Sequence, residues 1–131
     1  MKLLSLRIIT EDIKRLVEFF EKATCLTAQW CTEYFAELVT SFCTIAIGST
    51  GTLALFGGNI AQPSSNKSVI EFLVKNVDEE SERIKKLNIE IVQQPNNMPW
   101  GNRSLLFRDP DGNLNNFFTP VSPEAIKKFG V

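Results

Sequence analysis

The chain has 131 residues, of which 44% are hydrophobic and 22% are charged, and it contains no histidine. This length suits one domain, or two small halves that share a core. Without imidazole, Ser-His-Asp and Cys-His catalysis, HExxH zinc hydrolysis and two-histidine iron sites are excluded. Carboxylates, thiols, amines, a phenol and backbone groups remain as the chemistry that the chain can use.

Charge and cysteine content indicate which partners and which cellular compartment to expect. Fourteen basic and 15 acidic side chains leave a net charge of −1, and neither half is a basic block, so we expect no nucleic-acid and no membrane partner. Three irregularly spaced cysteines predict free thiols in a reducing compartment. Arg7 and Glu11 interrupt the apolar stretch that a signal peptide would need, and no apolar run is long enough to cross a bilayer. We therefore expect a cytoplasmic protein.

The first half of the chain predicts the order β-α-β-β-β. A strand over 4–9 precedes a helix whose apolar residues recur with helical spacing at Ile13, Leu16, Val17, Phe20 and Ala23. A stretch rich in β-branched and aromatic residues then predicts strands over about 27–34, 36–48 and 52–57. Residues 48–51 supply the turn between the last two of these strands.

The second half repeats this order after a polar linker over about 59–67. A strand over 68–74 is followed by the capping box Asn76-x-x-Glu79 and a helix with Val77, Ser81, Ile84 and Leu87 on one face. Further strands are predicted over 90–92, 102–108 and 113–119, with the turn Asp109-Pro110-Asp111-Gly112 between the last two. The tail from Pro123 to Phe129 predicts a short helix.

Residue matches between the halves support an internal repeat. Residues 51–56 align with 112–117, and residues 4–9 align with 68–73. Each copy is too small to bury a sheet alone, so the two copies are expected to share a core. We predict a single α+β domain over 1–131, with module one over about 1–58, the linker over 59–67, module two over 68–120 and a tail over 121–131.

Two motifs in this frame resemble the vicinal oxygen chelate superfamily, which includes glyoxalase I, extradiol dioxygenases and bleomycin-resistance proteins. They are Asp12-Ile13-Lys14-Arg15-Leu16-Val17-Glu18-Phe19-Phe20 and Arg108-Asp109-Pro110-Asp111-Gly112-Asn113-Leu114, the second extended back to Met98. The resemblance implies two βαβββ modules whose curled mixed sheets enclose a shared cavity, with the helices outside. It also implies a small-molecule ligand and a homodimer.

Metal-dependent members of this superfamily hold an ion with up to four ligands, and the resemblance implies which positions of this chain correspond to them. The corresponding positions in this chain are Ser5, Leu55, Val69 and Asn116. Two of them have no donor atom, and a hydroxyl and an amide are weak ligands compared with imidazole or carboxylate. We therefore expect no metal and no cofactor, which argues against glyoxalase and dioxygenase activity.

Strand alternation extends the cavity prediction. If Ser5 and Val69 face inward, so do Arg7 and Glu71, while Leu6, Ile8, Ile70, Phe72 and Val74 pack beneath the helices. The predicted cavity face then consists of Ser5, Arg7, Glu71, Leu55, Asn116 and Phe118. Two interpretations of Arg7 and Glu71 stay open: an internal ion pair, or a polar pair that meets the ligand.

Aromatic residues are the second group of candidates. Trp30, Tyr34 and Phe118 lie on predicted strands, where aromatic residues also serve as core, whereas Trp100 lies in a loop. Arg103 follows this loop and is placed either at the cavity mouth or in a surface salt bridge. An aromatic lining would suit a planar, apolar ligand.

Three functions are compatible with these residues. The first is a metal-independent binding protein of the bleomycin-resistance type, which sequesters an aromatic or polar small molecule or an antibiotic. The second is a metal-free lyase or isomerase that uses Glu71 or Tyr34 as general base. The third is metal catalysis through other ligands, with Glu33, Glu37 and Glu71 as the candidates.

Overall fold

A computed structural model of the chain describes residues 3–52 and 68–131. The chain divides into two compact units, unit 1 over Met1–Asn66 and unit 2 over Lys67–Val131. Each unit contains a four-stranded mixed sheet and follows the order β-α-β-β-β, and unit 2 adds a helix at its end. The predicted α+β class with two βαβββ modules is confirmed.

Unit 1 consists of five described elements. They are β1 (Ser5–Thr10), α1 (Ile13–Thr24), β2 (Gln29–Thr32), β3 (Phe35–Val39) and β4 (Thr44–Ser49). The strand order is β1-β4-β3-β2, with β1 and β4 parallel and the other neighbours antiparallel. Parallel strands cannot be joined by a tight hairpin, and the chain between β1 and β4 runs through α1, β2 and β3.

Helix α1 forms as its apolar spacing predicts. The Asp12 side chain accepts a hydrogen bond from the backbone N–H of Arg15 and caps the first turn, and Cys25 ends the helix in the left-handed conformation. The buried face is Ile13, Leu16, Val17, Phe20 and Ala23. It packs on the sheet above Ala36, Leu38, Ile45 and Ile47, which are all buried.

The strand predicted over 36–48 is wrong, because the structure divides it into β3 and β4. The turn between them is closed by Thr40, whose Oγ1 accepts from the N–H groups of Phe42 and Cys43. A side chain that replaces backbone hydrogen bonds in this way needs neither glycine nor proline, so the sequence pattern did not reveal the turn. The last described strand of unit 1 is therefore β4, and residues 53–57 of the predicted strand over 52–57 lie outside the described residues.

Unit 2 consists of six elements. They are β5 (Val69–Leu73), α2 (Val77–Lys85), β6 (Ile91–Asn97), β7 (Asn102–Arg108), β8 (Leu114–Pro120) and α3 (Pro123–Phe129). The strand order is β5-β8-β7-β6, with β5 and β8 parallel. Strand β6 is longer than the predicted 90–92 and includes Pro95, which an irregular edge strand tolerates.

The core of unit 2 lies between α2 and the sheet. The Phe117 ring packs edge-on against Phe107 at 4.8 Å and against Phe72 at 5.4 Å between ring centroids. Asn76 caps α2 by accepting from the N–H groups of Asp78 and Glu79, as the capping box predicts. The β7–β8 turn is fixed by Asp109, whose Oδ1 accepts from the N–H groups of Asp111 and Asn113.

Strand alternation places the predicted residues on two faces. Ile8 is buried on the helix side of β1, and Phe72 is half-buried on the helix side of β5. Leu6 lies on the α1 face of β1 but is 41% exposed, so the prediction that it packs beneath a helix is wrong. None of the helices in the described segments is long and apolar enough to cross a bilayer.

Candidate functional site

The two parallel strand pairs define equivalent positions in the two units. In unit 2, Glu71 lies opposite Asn116, and in unit 1 Arg7 lies opposite Ala46. Among the described residues of unit 1, Ala46 on β4 therefore occupies the place equivalent to Asn116, for which the sequence predicted Leu55. Leu55 itself lies outside the described residues.

The residues at these positions do not fit a metal ion. Ser5, Ala46, Val69 and Asn116 together offer one hydroxyl and one amide, and neither an imidazole nor a carboxylate. Elsewhere in residues 3–52 and 68–131, no group of three cysteine, aspartate or glutamate side chains is arranged to hold an ion.

The open face of unit 1 carries Arg7. The guanidinium of Arg7 lies over the Phe35 ring, 4.7 Å from its centroid, on the side of the sheet opposite α1. Glu37 occupies the same face, and its Oε1 accepts a hydrogen bond from the Cys31 thiol at 3.3 Å. This hydrogen bond, together with desolvation and the negative charge of Glu37, raises the pKa of the Cys31 thiol. The thiol is therefore held protonated.

A pocket of about 1320 Å³ opens beside Arg7, at the end of the sheet where β1 leads into α1. Its walls are largely apolar, and the described residues that line it come from the β1–α1 loop, the β2–β3 hairpin and the segment after β4. Tyr34 and Phe35 supply aromatic surface, and Tyr34 is 56% exposed. A hydrogen bond to Glu33 and the charge of that carboxylate raise the pKa of the Tyr34 phenol. The phenol is therefore a hydrogen-bond donor and not a base at neutral pH.

The face of the unit 2 sheet opposite α2 carries Glu71 and Asn116. Asn116 Nδ2 donates to Glu71 Oε2 at 2.8 Å. Asn116 is only 5% exposed, while Glu71 is exposed. Because a carboxylate accepts but does not donate, this bond fixes the orientation of the amide and turns Oδ1 away from Glu71. Asn116 Oδ1 has no hydrogen-bond partner in the structure.

Two further polar side chains lie on the same face of β7. Ser104 lies opposite Phe118 and Asn102 lies opposite Pro120, which places both on the side of Asn116 and away from α2. Ser104 Oγ and Asn102 Oδ1 are buried and without a partner. The sequence analysis missed both residues, although they lie two positions apart in β7, on the face opposite the core residues Leu105 and Phe107.

The structure brings some of the other predicted residues to these faces. Ser5 is exposed on the face of Arg7, and Phe118 is buried on the face of Asn116, with its ring 5.1 Å from that of Phe129. Trp30 lies opposite Ala36, on the helix side of the sheet, and is 45% exposed. Trp100 is 63% exposed in the loop before β7.

Arg103 lies in a surface salt bridge, one of the two placements that the sequence left open. It lies opposite Thr119 on the α2 side of β7, and its Nε and Nη2 donate to the two carboxylate oxygens of Asp78 at 2.9 Å each. Its Nη1 donates to Asn97 Oδ1 at 3.2 Å. The bond from Arg103 is also the main reason that the pKa of Asp78 is lowered.

Comparisons with known proteins agree with this architecture. The family model described as Glyoxalase/Bleomycin resistance protein/Dioxygenase superfamily matches residues 2–117. YraH, an uncharacterized protein of Bacillus subtilis (strain 168), is 27% identical over 121 residues, which cover 87% of this chain and 94% of YraH.

Solved structures with this fold come from several bacteria. A glyoxalase/bleomycin resistance protein/dioxygenase from Nocardioides superposes with a TM-score of 0.78 at 21% identity, over 94% of this chain and 85% of that one. A family enzyme from Burkholderia phytofirmans PsJN gives a TM-score of 0.77 at 18% identity, over 92% of this chain and 100% of that one. At these identities the likeness concerns the fold alone.

Proposed function

We propose that this chain, which belongs to the Glyoxalase/Bleomycin resistance protein/Dioxygenase superfamily, is a metal-independent binding protein for an aromatic or polar small molecule, with antibiotics among the candidates. The observation that carries the proposal is the unit 1 pocket, where the Arg7 guanidinium lies against Phe35 beside the exposed Tyr34. A concave, largely apolar pocket with a few polar groups is the usual form of a small-molecule site.

Arg7 and Phe35 have defined roles in this proposal. A guanidinium binds carboxylate or carbonyl oxygens of a ligand through its N–H groups, and Arg7 brings such a group to the wall of the pocket. Tyr34 adds an aromatic surface with a phenol that donates. The four positions compared with metal ligands offer no strong donor, so binding is expected to proceed without an ion.

A thermal-shift screen of aromatic antibiotics and small carboxylates tests this function. We expect at least one compound to raise the melting temperature equally with EDTA and with added divalent ions, because a ligand stabilises the state that it binds. Arg7→Gln should weaken that compound by about tenfold or more. Arg15→Gln removes an exposed arginine outside the pocket and serves as the control. Binding that requires a divalent ion, or that is unchanged in Arg7→Gln, would contradict the proposal.

We also propose that the protein forms a homodimer in a reducing compartment such as the cytoplasm. Leu3, Leu4 and Phe42 of unit 1 are large apolar side chains that are 77%, 71% and 94% exposed, which is the kind of surface that associates. All three cysteines are free thiols. Sedimentation of the wild type and of Phe42→Ser measures the assembly state, and a wild type that stays monomeric at high concentration would contradict the dimer.

A second candidate function is a metal-free lyase or isomerase. The observation that favours it is the Glu71 carboxylate, which is exposed on an open face and oriented by Asn116 at 2.8 Å. A general base needs such a fixed position beside its substrate. In a pH–rate profile of any compound that is turned over, Glu71→Gln should abolish the reaction while binding survives. Turnover that is intact in Glu71→Gln would rule this function out.

A further inference from the structure

We infer that the face of the unit 2 sheet opposite α2 binds hydrogen-bond donors of the ligand, with a protonated amine at Glu71 and N–H or O–H groups at Asn116 and Ser104. We call the set Glu71, Asn102, Ser104 and Asn116 the acceptor face. The inference rests on the proposed binding function and names the chemistry of the group that is bound at this face.

The orientation of Asn116 is the first step. Its Nδ2 donates to Glu71 Oε2 at 2.8 Å, so the oxygen of the same amide is turned away from Glu71 and remains an acceptor. The residue is 5% exposed, and the oxygen has no partner. A buried acceptor without a donor costs folding free energy, so a group that supplies the donor is bound in preference to one that does not.

The neighbouring strand β7 also carries buried oxygens that have no hydrogen-bond partner. Ser104 is 2% exposed and Asn102 is 6% exposed, and their Oγ and Oδ1 atoms are without partners. Both share the face of Asn116 through the β7–β8 register. Ser81 and Asn115 also have buried oxygens without a partner, but Ser81 belongs to α2 and Asn115 lies on the α2 face of the sheet, so neither belongs to this set. Three buried polar atoms without partners, on the face that also carries the exposed Glu71, therefore indicate a surface that lacks hydrogen-bond donors.

Glu71 sets the charge of the group that fits. Within residues 68–131, no basic side chain lies within salt-bridge distance of its carboxylate. One hydrogen bond from Asn116 leaves most of the acceptor capacity of the carboxylate unused. An ammonium group offers three donors and a positive charge, whereas a carboxylate or phosphate would meet like charge and acceptors. A protonated amine is the group that this face favours.

Apolar surface lies next to the acceptors. Phe118 is opposite Ser104 in the register, and the Phe129 ring of α3 lies against it at 5.1 Å between centroids. Among the residues of α3, Ala125 alone is buried. Because Ala125 lies near the start of the helix, the opposite end, which carries Phe129, can move and let the ring of a ligand replace Phe129 on Phe118. The expected ligand therefore joins an aromatic or apolar body to an amine.

Three probes with one aromatic ring and different head groups test the inference: 2-phenylethylamine, 2-phenylethanol and 3-phenylpropionate. Titration followed by NMR reports on the side-chain amide of Asn116 and, separately, on Tyr34 in the unit 1 pocket. We expect the amine to shift the Asn116 amide and to bind about tenfold more tightly there than the other two probes. Glu71→Gln should abolish this preference, whereas Glu90→Gln, which removes an exposed charge at the opposite edge of the same sheet, should retain it.

The outcomes separate the inference from the proposed function. If the Tyr34 signals respond to a probe but the Asn116 amide responds to none, the acceptor-face inference is overturned and the binding function stands. An Asn116 response that is stronger for phenylpropionate, or an amine preference that survives Glu71→Gln, also overturns the inference. If neither site responds to any probe, and the antibiotic screen is negative as well, both proposals fail.

Discussion

Gly101 connects the loop before β7 to the last helix of the chain. Its φ is +95°, and its carbonyl accepts from the N–H groups of Val121 and Ser122 at 2.9 and 3.0 Å. A Cβ at this position would come closest to Ser122 Oγ, and would lie 2.8 Å from Ser122 Cβ and 3.2 Å from Ala125 Cβ. Ser122 caps α3 by accepting from the N–H of Ala125. Gly101→Ala should therefore both strain the loop and displace α3.

The magnitude follows from two contributions. A left-handed conformation costs an alanine about 1–2 kcal/mol, and loss of the Ser122 cap costs about 1 kcal/mol. Their sum of about 2–3 kcal/mol corresponds to a fall in melting temperature of roughly 7–11 °C for a chain of this length. Gly112 is the matched control, because it has a φ of +85° with nothing within 4 Å of an added Cβ. Gly112→Ala should lose only about 1–2 kcal/mol.

Urea unfolding followed by circular dichroism measures both variants, and hydrogen exchange measures the backbone amides of α3. Gly101→Ala should be less stable than Gly112→Ala and should exchange the α3 amides faster in its folded state. Equal losses of stability, with α3 protected equally in both variants, would refute the tight packing of α3 on the Gly101 loop.

Three further predictions concern single side chains. Ser81→Ala should raise the free energy of unfolding by about 0.5–1 kcal/mol in urea, because it removes a buried hydroxyl without a partner and favours the helix; a loss of stability would refute it. Asp78→Asn should lower stability by less than about 1 kcal/mol at neutral pH, since its bridge to Arg103 is on the surface. Because that bridge lowers the pKa of folded Asp78, its contribution is present above the unfolded pKa and is lost as the pH falls through the folded pKa, so the urea midpoints of wild type and variant should converge in acid. Glu37→Gln should speed alkylation of Cys31 at neutral pH relative to Cys25, because Glu37 is what raises the pKa of the Cys31 thiol; unchanged rates would contradict this cause.

Local signals in the sequence predicted most of the fold. The spacing of Ile13, Leu16 and Phe20 and the cap at Asn76 specified two helices, because burial and capping are encoded within a few residues. The β7–β8 turn followed from its proline and glycine. The β3–β4 turn did not, since Thr40 makes it with a side chain in a run that otherwise favours strand.

The sequence predicted only part of the candidate sites. Alternation placed Arg7 and Glu71 on open faces, because the side-chain period of a strand is fixed. The hydrogen bond between Glu71 and Asn116 joins residues 45 positions apart, and only the parallel β5–β8 pairing shows that they meet. Arg103 and Asp78 are also far apart in the sequence, and only the structure shows that they form a salt bridge. Whether a polar atom of β7 has a partner depends on the atoms around it, which the sequence does not specify.

The most direct measurement is calorimetric titration of the purified protein with the tightest compound from the screen, performed in EDTA and repeated with a divalent ion. Metal-independent binding predicts the same affinity in both titrations and a loss of about tenfold or more in Arg7→Gln. Binding that disappears in EDTA and returns with the ion would contradict it.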